Sequence, residues 1–132
     1  MPAASTILIV DDYADALDVW QRYLQAEGFH VLTAADGHQA LAVATSERPD
    51  LIVMDLELPG LSGLDVARTL RAQHATRHIP LIAATGHSRT ALLDLARQSG
   101  FDLVLVKPCD PTALVREIRR MLERGPASSG GA

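Results

Sequence analysis

The sequence predicts an α/β fold, a parallel sheet covered by helices on both faces. Three observations carry that prediction. Apolar runs of four to six residues recur five times, segments with helical apolar spacing lie between them, and polar residues capable of chemistry fall where four of the runs end. Runs this short fit buried strands and not helices. Strict alternation with helices, together with right-handed crossovers, leaves a parallel sheet as the economical topology.

The predicted strands are Thr6–Val10, Phe29–Thr33, Leu51–Met54, Ile79–Ala84 and Phe101–Val106. The first helix, Asp15–Glu27, gathers Ala16, Leu17, Trp20, Tyr23 and Leu24 on one face and stops at Gly28, a residue type favoured just past helix ends. After Asp36 a second helix carries Ala40, Leu41 and Ala44 and ends before Arg48-Pro49, because proline disfavours helix at the preceding residue. A third begins after Ser62-Gly63 with Leu64, Ala67 and Leu70. Ser88 is read as the N-cap of a fourth helix that buries Ala91, Leu92, Leu95 and Ala96, leaves Leu93 off its apolar stripe and ends at Gly100. Asp110-Pro111 starts the last helix, with Leu114, Val115, Ile118, Met121 and Leu122 as its stripe.

With 132 residues, 48% of them hydrophobic, the chain suffices for one domain with its own core. Twelve Lys+Arg against sixteen Asp+Glu give a net charge of -4, which argues against phosphate-backbone binding and makes nucleic acid an unexpected direct partner. The one cysteine, Cys109, cannot form an internal disulfide. The N-terminal residues lack a basic n-region, and the run Ile7–Val10 is too short for a signal sequence or a membrane span. The expectation is a cytoplasmic protein without a membrane segment.

In an open parallel sheet, sites form beyond the carboxyl ends of the strands. Asp11 and Asp12 follow the first strand, Asp55 the third, Thr85 the fourth and Lys107 the fifth. Three carboxylates converging within about 5 Å repel by roughly 3 kcal/mol per pair at an effective dielectric of 20, so the arrangement calls for a cation. Hard oxygen donors without a His or Cys cluster favour Mg²⁺. Lys107 would offset the negative charge of a transferred phosphoryl group, and the Thr85 hydroxyl is placed to donate to one of its oxygens. The competing explanation, that aspartates merely form turns at strand ends, does not account for Thr85 and Lys107.

The pieces Ile-Leu-Ile-Val-Asp11-Asp12, Val-Met-Asp55-Leu-Glu-Leu-Pro-Gly-Leu-Ser-Gly, Ala-Ala-Thr85-Gly and Leu-Val-Lys107-Pro108 occur in order. Over about Thr6 to Leu122 the chain resembles a response-regulator receiver domain, similar to the stand-alone chemotaxis regulator and to receivers of hybrid histidine kinases. The resemblance implies a flavodoxin-like, doubly wound five-stranded sheet of order 2-1-3-4-5. It also implies that Asp55 accepts a phosphoryl group from the phosphohistidine of a histidine kinase or histidine phosphotransfer protein. Mg²⁺ would be held by Asp12, Asp55 and the Glu57 backbone carbonyl, with Asp11 helping through water. Lys107 would pair with the phosphoryl group, Lys107-Pro108 would be cis, and Thr85 would move toward the phosphate. On this reading the protein catalyses only its own phosphorylation and dephosphorylation, switches the binding of a downstream protein, and is a monomer or weak homodimer. The receiver domain would span residues 1–124, followed by a disordered Gly/Ser-rich tail at 125–132, as a single-domain regulator or a hybrid-kinase receiver. The alternative is a Mg²⁺-dependent phosphatase with an aspartyl nucleophile; such enzymes carry Asp-x-Asp and a cap insertion, whereas here the aspartates are adjacent and no insertion is long enough.

Some positions individualise the chain. Glu57, two residues past Asp55, has two readings: a carboxylate that tunes phosphoryl lifetime or helps hold a cation, and a solvated loop charge. His87 lies two residues past Thr85 and reads as a rim or plain loop residue. Val104 stands where many receivers carry a Tyr or Phe that rotates with the threonine, so that aromatic relay does not carry over.

Overall fold

A computed structural model describes residues 4–124 of the chain. The expected tail at 125–132 lies outside the described residues. The elements run β1 (Thr6–Val10), α1 (Ala14–Ala26), β2 (His30–Ala34), α2 (Gly37–Glu47), β3 (Leu51–Met54), α3 (Gly63–Ala72), β4 (Leu81–Thr85), α4 (Thr90–Ser99), β5 (Leu103–Val106) and α5 (Pro111–Arg124). The strands form one sheet in the order β2-β1-β3-β4-β5, and each neighbouring pair is parallel. Strand alternation divides the core in two. Leu8, Val10, Ile52, Met54, Leu81 and Ala83 face α2, α3 and α4. Ile7, Ile9, Leu51, Val53, Ile82 and Ala84 face α1 and α5.

Three strands start later than their apolar runs because the leading residues close the preceding element. Phe29 N–H donates to Leu24 O and Gly28 N–H to Gln25 O, while Phe101 N–H donates to Ala96 O and Gly100 N–H to Arg97 O. Both are Schellman closures, with φ +97° at Gly28 and +121° at Gly100 and a buried phenylalanine just beyond each glycine. Ile79 N–H is likewise spent on Thr76 O. These apolar residues anchor the core without extending the ladder.

Helix α4 departs most from expectation. Its N-cap is Arg89, not Ser88, and makes no side-chain capping bond. Ala91 and Leu95 are exposed, whereas Ala96 and Ser99 are buried and Leu92 and Leu93 half-buried. The inward stripe is therefore Leu92, Ala96 and Ser99, at the i, i+4, i+7 spacing of one helix face, and the first turns of α4 bury little. By contrast, Asp36 caps α2 through Gln39 N, Ser62 caps α3 through Asp65 N, and Asp110 Oδ1 accepts from Thr112 N at the start of α5.

Candidate acidic site at the carboxyl edge of the sheet

The ladder itself positions the carboxylates. Asp11 N–H bonds Ala34 O at 3.1 Å and Asp55 N–H bonds Val10 O at 3.0 Å, which continues the hydrogen bonding of β1 and β3 one residue past each strand. Tyr13 N–H then donates to Asp11 Oδ1 (2.9 Å) and Glu57 N–H to Asp55 Oδ1 (3.0 Å). Each acid thus has one oxygen fixed by local backbone while the other faces the cleft. Gly63 permits the close approach of α3 beneath the site, since a Cβ there would lie 2.4 Å from the Asp55 carbonyl oxygen.

Lys107 ties the cluster together. Its Nζ lies 2.9 Å from Asp11 Oδ2 and 3.3 Å from Asp55 Oδ2, and its backbone N–H donates to Thr85 O at 2.7 Å. The Lys107-Pro108 bond is cis, as expected. Burial pulls the Lys107 ammonium down, but the hydrogen bond to Asp11 and the charges of Asp55 and Asp11 outweigh it, so its pKa stands above 10.5. Thr85 is fully buried, and its Oγ1 accepts from His87 N–H at 3.2 Å, which leaves the hydroxyl hydrogen for another acceptor.

Asp11, Asp12 and Asp55 each offer a carboxylate oxygen, all within 4.8 Å of one another. Asp11 is buried and Asp12 exposed. One ammonium against three carboxylates leaves negative charge in excess, and the all-oxygen donor set fits a hard divalent cation such as Mg²⁺. The Glu57 side chain stands outside the three-carboxylate cluster: its Oε1 lies 2.6 Å from His87 Nε2. That contact joins the β3–α3 and β4–α4 loops. Sequence reasoning named both residues and not their pairing, for which a separation of thirty positions carries no signal.

Adjacent aspartates beside a bridging lysine and a buried threonine, on a sheet of this strand order, define a phosphoacceptor signalling module. The sequence profile of the response regulator receiver domain matches residues 7–119, and the chain belongs to that family. It is 39% identical over 118 residues to the DNA-binding response regulator MtrA of Mycobacterium tuberculosis, covering 89% of this chain and 50% of MtrA. The chain thus spans about half the length of that relative. It is 32% identical to the polar-differentiation response regulator DivK of Brucella anthropi, covering 89% of this chain and 95% of DivK. The receiver domain of sensor histidine kinase PA1611 from Pseudomonas aeruginosa, solved with a magnesium ion in its active-site cleft, superposes with a TM-score of 0.85 at 34% identity, over 92% of this chain and 99% of that one. Receiver domains are signalling domains of two-component systems and not classical enzymes, and response regulators partner with histidine kinases. Family membership decides for this reading over the phosphatase alternative. Among the described residues, no helix is long and apolar enough to cross a membrane.

Proposed function

We propose that Asp55 is the phosphoacceptor of this receiver and that the protein works in the cytoplasm, taking its phosphoryl group from the phosphohistidine of a histidine kinase or phosphotransfer protein. The observation that carries the reading is the Lys107 ammonium within reach of both Asp11 and Asp55. Asp55 Oδ2, the oxygen that faces the cleft and Lys107, attacks phosphorus in line, the P–N bond to the donor imidazole breaks, and its electron pair returns to the ring. Lys107 neutralises charge on the transferred group, and the Thr85 hydroxyl donates to one of its oxygens. Asp12, Asp55 and the Glu57 carbonyl would hold Mg²⁺, with Asp11 acting through water. When bound, Mg²⁺ offsets charge on the phosphoryl oxygens and lowers repulsion among the carboxylates. The same residues support hydrolysis of the aspartyl phosphate, which makes the signal self-limiting.

The phosphorylated state switches the binding of a downstream protein. DNA binding, named for MtrA, is not carried over, because the net charge of -4 supplies no basis for it. The test is thermal stability with Mg²⁺ and beryllofluoride, a phosphoryl mimic. Together they should raise the melting temperature more than the sum of their separate effects, and Asp55→Asn should lose the joint effect. Merely additive shifts would reject the assembled pocket.

A further inference from the structure

Asp11 and Asp55 also line a cavity of about 420 Å³. Ile9 and Ala84 of the sheet, Ala16 and Trp20 of α1, Cys109 of the β5–α5 loop and Leu114 of α5 form its apolar walls. Asp11, Asp55 and Lys107 stand at its polar end. The hollow has a sequence cause: Ala16, Ala84 and Cys109 are small, so the layer between α1 and α5 is left unfilled where it meets the site. A volume of this size, apolar along its length with a few polar groups at one end, has the make-up of a small-molecule site.

Charge selects the occupant. When no Mg²⁺ is bound, one ammonium faces Asp11 and Asp55 at the polar end, with Asp12 beside the cavity in the same cluster, so an anionic group is repelled and a cationic one attracted. An indole wall favours a planar ring and is compatible with a nearby cation. We propose that this cavity binds a small aromatic cation of the aryl amidine or arylalkylamine class, its ring beside Trp20 and its charged group against the aspartates. Such a ligand and a metal ion share the carboxylates and exclude one another. Occupancy would therefore set how much of the receiver can load Mg²⁺, a chemical input separate from the kinase. The assignment stands on the cavity and its charge, and it holds whether or not Asp55 accepts a phosphoryl group.

Trp20 is the only tryptophan, so its fluorescence reports directly on the cavity. The probe is benzamidine, with benzoate as the anionic counterpart of the same size. Benzamidine should change Trp20 emission saturably, benzoate should bind at least about tenfold more weakly, and added Mg²⁺ should weaken benzamidine in proportion to its own occupancy. Ala16→Leu, which fills the hollow, should lower benzamidine affinity about tenfold or more while calorimetric Mg²⁺ binding persists. The wild-type comparison of benzamidine with benzoate does not depend on how that variant folds. Equal binding of the two probes, absence of saturation, indifference to Mg²⁺, or full benzamidine affinity in an Ala16→Leu protein that still binds Mg²⁺ would each overturn the proposal.

Discussion

Lys107 is the residue on which the site's electrostatics turn, because among the described residues it alone pairs a positive charge with Asp11 and Asp55. Lys107→Met is expected to slow phosphorylation of Asp55 by about 100-fold while Mg²⁺ still binds, since no metal donor is removed; stopped-flow with a small phosphodonor and a Mg²⁺ titration check the two halves. The same residue shapes stability at high pH. A lysine whose folded pKa lies above 10.5 contributes stability that is fully present below 10.5 and lost as pH rises through the folded value. Burial pushes the Cys109 thiol above its ordinary 9.0, with Lys107 opposing, and an acid raised on folding also loses stability as pH climbs past the unfolded value. Urea midpoints should therefore fall progressively above pH 9, and Cys109→Ala should remove the earlier part of the decline and Lys107→Met the later part. Glu57 carries the third expectation. Held by His87 at 2.6 Å, its carboxylate is restrained on the rim, and Glu57→Asn should alter the lifetime of phosphorylated Asp55; an unchanged dephosphorylation rate would return Glu57 to a solvated loop charge.

At the scale of elements, the joint between α3, β4 and the α4–β5 loop rests on one side chain. Arg71 donates twice to Gly100 O, once each to Arg77 O and Ile79 O, and once to Asp102 Oδ2, which also accepts from Leu81 N–H. Arg71→Met should cost about 2–3 kcal/mol, because it strips a charged donor from partly buried carbonyls, and urea unfolding should show it as a lower midpoint at unchanged slope. Nothing in the spacing around Arg71 announced this role, as its partners lie up to 31 positions away. Element types and order were legible from apolar periodicity, whereas boundaries slipped where an apolar residue had a second use. Phe29 and Phe101 read as strand and serve as helix closures. The α4 stripe was misplaced because Leu92, Leu93 and Leu95 offer several faces by hydropathy alone, and only packing against the sheet chooses among them.

For the whole molecule, the legible part of the site was the part fixed by topology. Parallel strands deliver their carboxyl ends to one edge, so the grouping of Asp11, Asp12, Asp55, Thr85 and Lys107 is legible in the sequence. What topology does not fix is which long side chains meet and where volume is left over. The Glu57–His87 contact and the cavity beside Trp20 depend on side-chain lengths contributed by separate elements. The central claim is that this edge makes Asp55 a phosphoacceptor. Its most direct test is intact mass after incubation with phosphoramidate and Mg²⁺. A single base-labile phosphoryl adduct, absent without Mg²⁺ and absent in Asp55→Asn, is the predicted result; no adduct at all, or an adduct that persists in Asp55→Asn, would contradict it.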